Sequence, residues 1–416
     1  MRVAVFTNQF PARMNTFFAR DLRALIDCGL EVDVYPFYPP DPSCWPMVPA
    51  LLGPDILPRE RVRHFAAFEL ARALRPWPPR RAAAFLRDSA RIVGSAARYG
   101  LAPVAKSAYA AGYAWASANR FGAPRYDHVL AYWGNYAASA AYLFHRQTQP
   151  GVPFSMFVHA RMDLYRQPAF LSQKLLYADN IFVVCEFNRR YLREHYPSIY
   201  PRIAERIHVH HLGIPLDDVR FEPAPRPANQ LLAVGNLEPL KGFAGLIEAV
   251  AALRARGVHA RLDLIGGGEQ ERELRHLAGR LGLADVVTFR GVLPPDAVLA
   301  AMRAATILVH PPISPDAMPT VIKEAMAVGT PVIASDLAGI PEMLDQGRCG
   351  VLVPPGDGDA LARAIAALLA DPDRRRHYAE SGRRHMERRF DQRTNGAALA
   401  RRLATTVRRE QLHDCA

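Results

Sequence analysis

Twelve short apolar runs rich in β-branched residues alternate with segments of helical period along this chain. That alternation constrains the fold more than any other feature. In the first half the runs are Arg2–Thr7, Glu31–Phe37, His128–Tyr132, Phe154–His159, Ile181–Cys185 and Ile207–His211. In the second half they are Gln230–Gly235, Arg261–Ile265, Val286–Phe289, Ile307–His310, Pro331–Ala334 and Gly350–Val353. Many are apolar throughout and do not alternate with polar residues, the pattern of parallel strands covered on both faces. Two successive sets of this kind predict two doubly wound α/β domains. The length of 416 residues agrees, at roughly 150 residues per domain.

The junction between the two sets is marked by Pro215, Pro223, Pro225 and Pro227 with polar residues between them, a stretch that continues neither a sheet nor a helix. The expected organisation is a first domain over 1–212, a linker over 213–228 and a second domain over 229–390. One segment of the first domain departs from the alternation. Residues 59–120 are rich in Arg and Ala, with Phe65, Phe68, Trp77, Phe85, Tyr99, Tyr109, Tyr113 and Trp115 among them. They read as a basic helical insertion of two or more helices, broken around Arg75–Pro79. Basic helices with aromatic residues can lie in a bilayer interface; an Arg-biased helical insertion packed in the ordinary way is the alternative.

Charge separates the halves. Residues 1–212 carry 26 Lys+Arg and 15 Asp+Glu, a balance of +11, while residues 213–416 carry 26 and 25, a balance of +1. Only the first half is therefore suited to an anionic partner or membrane face. Met1 and Arg2 run directly into Val3–Phe6 with no secretory pattern, and no stretch approaches 18 uninterrupted apolar residues. The five cysteines (Cys28, Cys44, Cys185, Cys349 and Cys415) are scattered with no C-x-x-C pair, as in a protein with reduced thiols. The expectation is a cytoplasmic protein, peripheral at the inner face of a membrane.

The most informative segment is Asp316–Ser335, DAMPTVIKEAMAVGTPVIAS. A strand ending at His310 leads through a Pro-rich loop into a helix near Pro319, whose first-turn N–H groups lack intrahelical partners. Such a terminus binds phosphate or sugar hydroxyls. Asp316 precedes that turn, Glu324 lies on the helix, and Gly329 ends it before Pro331 opens the next strand.

This segment resembles the E-x(7)-E signature of retaining glycosyltransferase family 4. That resemblance implies the GT-B fold, two Rossmann-like domains facing a cleft. It extends along nearly the whole chain, through the VFTNQFP run ending at Pro11, Phe157–His159, Ile207–Ile214, Ala233–Phe243, Leu264–Gly268, Phe289–Gly291 and Gly339–Glu342. It implies transfer of a sugar from a nucleotide diphosphate sugar to an acceptor hydroxyl with retention, of the type that builds bacterial surface polysaccharides. The partners are then the nucleotide sugar and a glycan or polyprenyl-linked acceptor, with an anionic membrane surface met through residues 59–120. No metal, cofactor or nucleic acid is implied. Residues 391–416 are expected to form the helix that returns to the first domain.

The resemblance also implies roles. Glu324 accepts hydrogen bonds from the donor ribose, and Asp316 faces the transferred sugar where most members have Glu, one methylene longer. Backbone around Ala317, Met318, Pro319, Thr320 and Val321 holds the sugar and diphosphate. Lys241 neutralises the departing diphosphate, the charge term that usually dominates such transfers. Gly235, Asn236, Arg290 and Val292 complete the donor side. Asn236 stands where the family commonly has Arg, so one cationic contact is missing, and Arg290 is the candidate substitute. His159 ends a strand near the reacting centre, and Arg13, Asn15 and Thr16 are acceptor-side candidates.

Independently of the family, Lys241 is one of four lysines (Lys106, Lys174, Lys241 and Lys323) beside 48 arginines. A Lys after a strand and before Gly242 points to a requirement for a compact charge. Asp357/Asp359 and Asp371/Asp373 read as D-x-D, but each precedes a helical run and is better explained as an N-cap. Gly266–Gly268 begins a dinucleotide fingerprint that fails at Glu271. Three alternatives stay open: a nucleotide-sugar epimerase on the same scaffold, an inactive sugar-nucleotide-binding homologue and, for the basic half, a nucleic-acid binder without a recognisable motif.

Overall fold

The computed structural model describes residues 1–12, 16–52, 56–65, 69, 76–121, 125–159, 163–164, 169–221, 226, 228–315 and 317–413. The chain divides into two compact units, Met1–Gly213 with Gln392–Ala416, and Ile214–Asp391.

All twelve expected strands form, with ends within two residues of those read from the sequence. The first unit holds β1 (Arg2–Gln9), β2 (Glu31–Tyr38), β3 (His128–Ala131), β4 (Phe154–Val158), β5 (Asn180–Val183) and β6 (Ile207–Val209). They form one parallel sheet in the order β2-β1-β3-β4-β5-β6. Its two faces bury separate sets of side chains with the two-residue period of a strand. Ala4, Phe6, Val129, Ala131, Met156 and Val158 fill one core, and Val3, Val5, Leu130, Tyr132 and Phe157 fill the other.

Five helices of this unit matter below. They are α1 (Thr16–Asp27), α2 (Pro79–Ala96), α3 (Leu101–Phe121), α4 (Tyr136–Thr148) and α5 (Leu171–Tyr177). Helices α2 and α3 form most of the described part of the basic insertion, with a further break between them at Ala97–Gly100, where Gly100 has φ +104°. The break expected around Arg75–Pro79 is present where described: residues 76–78 are not helical and α2 begins at Pro79, while Arg75 lies outside the described residues, as does Phe68. Most of the described aromatic residues of the insertion, Tyr109 excepted, turn inward. Phe65, Phe85 and Tyr113 are buried, and the Trp77 and Trp115 rings stack at 4.2 Å. The exposed apolar residues are instead Leu86, Leu101 and Tyr109.

The second unit holds β7 (Gln230–Val234), β8 (Arg261–Ile265), β9 (Val287–Gly291), β10 (Ile307–His310), β11 (Val332–Ser335) and β12 (Val351–Val353). Its parallel order is β12-β11-β10-β7-β8-β9. Read from the other edge this is third, second, first, fourth, fifth, sixth, the doubly wound order whose direction reverses between β7 and β10. In this unit α6 (Phe243–Ala255), α7 (Thr320–Ala327) and α8 (Pro372–Arg389) carry the argument. Residues of the expected 213–228 linker are folded onto this unit where described. Leu216 and Val219 are buried, and Arg383 donates to the carbonyls of Val219 at 2.8 Å and Ala327 at 3.0 Å.

The last helix, α9 (Gln392–His413), belongs to the first unit, where Leu399, Ala400 and Leu403 enter the core beside Leu22 and Leu25 of α1. Among the described residues no helix is long and apolar enough to cross a membrane.

Candidate active site

In a doubly wound sheet, ligands bind outside the carboxyl ends of the strands where the winding reverses. In the second unit that point lies between the loops after β7 and β10, and three close backbone approaches shape it. Gly235 leaves β7 with its N–H on Ile265 O, and Gly266 lies so close that a Cβ there would sit 2.0 Å from Gly235 O. Leu237 N–H reaches Gly267 O at 3.0 Å. The chain then turns through Pro239–Lys241 and enters α6 at Gly242, which has φ +71°. A Cβ on Gly242 would lie 2.0 Å from Pro311 O, in the loop after β10, and Ile313 N–H donates to Leu240 O at 2.9 Å. The turn that carries Lys241 is therefore locked to the loop that leads into α7.

Helix α7 starts at Thr320 with Pro319 as its cap residue, so its first-turn N–H groups open toward the same edge. Ala317 and Met318 are buried just before it, and Glu324 and Val321 follow within the helix. Gly235, Asn236 and Lys241 thus follow β7, and Ala317, Met318, Pro319, Thr320, Val321 and Glu324 follow β10, on the two segments that flank the reversal point. Asp316 lies outside the described residues. Asn236 Nδ2 is 3.5 Å from Glu238 Oε1. Val292, 81% exposed, sits beside Gly267 at the end of β9. Arg290, the candidate substitute for the missing cation, is already paired with Asp263 at 3.0 Å. Asp357 and Asp371 cap the helices that follow them, accepting from Ala360 N and Arg374 N at 2.8 Å each.

In the first unit the winding reverses between β1 and β3, and His159 stands at the end of the neighbouring β4. The His159 ring packs against Trp133, which follows β3, at 4.3 Å, and against Phe17 of α1 at 5.8 Å. Thr16, the one described acceptor-side candidate, opens α1 one residue before Phe17; Arg13 and Asn15 lie outside the described residues. Asp163 is buried and holds His159 through the backbone, accepting its N–H at 2.9 Å with Oδ2. The same Oδ2 is 3.4 Å from His159 Nδ1, misaligned for a hydrogen bond. Among the described residues both His159 ring nitrogens, Trp133 Nε1, Asp163 Oδ1, Thr7 Oγ1 and Asn8 Oδ1 are buried with no hydrogen-bond partner. Buried polar atoms are normally satisfied, so a group of them at one sheet edge indicates where a polar ligand would be accepted.

Two residues of this edge carry no motif. Trp133 forms the wall against His159. Lys174 of α5 is buried, with Nζ donating to Gly134 O at 2.7 Å, Asn135 O at 3.0 Å and Ser139 Oγ at 3.2 Å. Burial pushes its pKa down to about 7, against an opposing pull from Asp163. The signal for Lys174 was available: it is another of the four lysines in a chain that otherwise uses Arg.

Two parallel-sheet units, each with its candidate site at a carboxyl edge, define the chain as a GT-B-type protein, and the comparisons agree. HepE of Anabaena, solved with UDP-glucose, matches with a TM-score of 0.68 at 19% identity over 97% of this chain and 100% of that one. Sucrose-phosphate synthase of Thermosynechococcus elongatus matches with a TM-score of 0.68 at 21% identity over 100% of both chains. At these identities the likeness establishes the fold.

In sequence, residues 217–385 match the family model described as glycosyl transferases group 1. A phosphatidyl-myo-inositol mannosyltransferase of Mycobacterium leprae is 36% identical over 184 residues, 43% of this chain and 48% of that protein. A GDP-mannose-dependent phosphatidylinositol monomannoside mannosyltransferase of Mycolicibacterium smegmatis is 31% identical over 241 residues, 53% of this chain and 62% of that protein. The chain spans about half the length of the curated relatives it matches first. It has the GT-B fold and is related in sequence to sugar transferases.

Proposed function

We propose that this protein is a nucleotide-sugar-dependent glycosyltransferase that moves a sugar to an acceptor hydroxyl with retention at the anomeric carbon. The observation that carries the reading is the locking of the Lys241 turn to the loop entering α7, at the reversal point of a sheet within the matched residues. A diphosphate at that point would meet the Lys241 ammonium and the first-turn N–H groups of α7, both of which stabilise charge as it develops on a leaving group. Glu324 would accept from the ribose hydroxyls, and Asp316 would meet the transferred sugar. No carboxylate of the chain is assigned as nucleophile; the departing diphosphate takes the acceptor proton.

The acceptor would bind the first unit, where the partnerless polar atoms around His159 suit the mixed donors and acceptors of a polyol. A glycan or lipid-linked glycan, met at an anionic membrane face, fits the +11 balance of residues 1–212. The relatives' names support this class: one is named as a phosphatidyl-myo-inositol mannosyltransferase.

The test is a hydrolysis panel over UDP-, GDP- and ADP-sugars, repeated with polyprenyl-linked acceptors. Release of the nucleoside diphosphate, faster with an acceptor present, is the expected result. No release from any donor, with or without acceptor, overturns the reading; a new sugar nucleotide formed without acceptor identifies an epimerase instead.

A further inference from the structure

At the opposite edge of the second sheet lies a group of side chains that the proposed transfer does not use. Asp345 and Cys349 precede β12, so they sit at the amino ends of the strands, whereas Lys241 and α7 follow β7 and β10 at the carboxyl ends. His385 reaches the same place from late in α8. A carboxylate oxygen of Asp345, the Cys349 Sγ and a ring nitrogen of His385 all lie within 4.8 Å of one another. Cys349 and His385 are buried, at 3% and 6% exposure, and Asp345 is half-buried.

A second observation concerns the imidazole. His385 Nε2 lies 3.2 Å from the carbonyl oxygen of Glu342. A carbonyl only accepts, so Nε2 carries the hydrogen and Nδ1 keeps its lone pair. Metal-binding histidines show this arrangement, one nitrogen fixed by an outer carbonyl and the other left basic. Sulfur, imidazole nitrogen and carboxylate oxygen together form a donor set suited to zinc rather than to calcium or magnesium.

Three arginines bear on the cluster. Arg348 donates to both Asp345 oxygens, Nη2 to Oδ1 at 2.8 Å and Nε to Oδ2 at 2.9 Å, so a metal bound there must displace it from one of them, which its 74% exposure allows. Arg388, one turn beyond His385's position, acts electrostatically on Asp345, Cys349 and His385, and the adjacent Arg389 acts on His385. A cation there therefore depends on both anionic ligands, thiolate and carboxylate, which together balance its two charges.

We propose that Asp345, Cys349 and His385 bind a zinc ion, with water in the fourth position, tying α8 to the start of β12. Sequence spacing does not show it, because His385 lies 36 residues beyond Cys349 and no pair of ligands forms a known short motif. The site does not depend on the transferase reading, and its test reads metal alone.

The full chain, stripped of metal by a chelator, is titrated with Co²⁺. One tight equivalent with thiolate-to-cobalt charge-transfer absorption is expected, displaced by one equivalent of Zn²⁺. Cys349→Ser should remove that absorption while keeping the wild-type circular dichroism. Asp345→Asn and His385→Asn should weaken Zn²⁺ by about tenfold or more. Zn²⁺ should raise the Tm of the wild type and leave Cys349→Ser unmoved. If Cys349→Ser does not fold, the wild-type spectrum and Asp345→Asn decide. The absence of a charge-transfer band in the wild type, its survival in Cys349→Ser, or unchanged Zn²⁺ affinity in Asp345→Asn overturns the proposal.

Discussion

Lys174 donates its Nζ hydrogen to the carbonyl oxygen of Gly134 at 2.7 Å, from a side chain that is 1% exposed. With Asn135 O and Ser139 Oγ as further acceptors, the ammonium clamps the loop between Trp133 and the start of α4. That loop holds Trp133 against His159, so a residue with no place in any motif sets one wall of the candidate acceptor pocket.

This clamp should leave a signature in the pH dependence of stability. Burial lowers the Lys174 pKa from 10.5 to about 7. Between those values the unfolded chain holds the proton and the folded chain releases it, so the group's contribution to stability rises with pH across that window. Below about pH 7 both states are protonated and the contribution is at its lowest. Thermal denaturation of wild type and Lys174→Met should therefore show the difference, wild type minus variant, growing from pH 7 to pH 9. A difference that stays flat or shrinks contradicts the assignment.

Gly242→Ala tests the locking of the candidate donor site. The position has φ +71°, and an added Cβ would lie 2.0 Å from Pro311 O. The Lys241 turn and the loop into α7 must then separate, at a cost of about 2 kcal/mol or more. Gly245→Ala, one turn along α6 with nothing within 4 Å of the new methyl, is the control. It should be neutral or stabilise by roughly 0.5–1 kcal/mol, as Ala for Gly in a helix generally does. Calorimetry of both variants, with donor binding alongside, should show loss only for Gly242→Ala.

What the sequence made legible follows from where the signals reside. Strands such as His128–Ala131 and Val332–Ser335 are buried at every position, so each residue reports its environment and the boundaries can be read from composition alone. The donor-side candidates were legible because they are contiguous, in DAMPTVIKE and around Lys241. Asp163 lies only four residues beyond His159, but Trp133 and Lys174 come from other segments, and only folding brings Trp133 against His159 and Lys174 under the loop that holds it. The aromatic residues of 59–120 show a further limit. Composition reads Trp77 and Trp115 equally well as interfacial or internal, and only their mutual stacking decides.

Arg226 shows how the expected linker became part of the second unit. Its guanidinium donates to Met302 O at 2.8 Å, Arg303 O at 2.7 Å, Ala305 O at 2.8 Å, Thr330 Oγ1 at 3.0 Å and Val328 O at 3.2 Å. These acceptors close the end of the Pro295–Ala304 helix and of α7, whose last carbonyls have no helical donor. Arg226→Met keeps the aliphatic stem and removes every donor. It should cost about 2–3 kcal/mol, which for a unit of this size is a Tm lowered by roughly 5–10 °C. Arg226→Lys, with three donors in place of a planar fork, should recover only part of it.

Lys241→Ala and Glu324→Ala separate the two roles proposed at the donor edge. A charge that acts on the leaving diphosphate matters more as the bond breaks than in the bound donor, so its loss should appear in kcat and kcat/KM alike, by about 10²–10³. A carboxylate that holds the ribose does so equally before and during transfer, so Glu324→Ala should act chiefly through KM. Both variants should lose most of their turnover at donor concentrations below KM. Both positions are half-exposed, and neither belongs to the buried apolar core, so Tm should stay within about 2 °C of the wild type. Wild-type rates in both variants would remove the donor site from this edge. A kcat loss in Glu324→Ala equal to that in Lys241→Ala would instead place the carboxylate nearer the reacting bond than the ribose role allows.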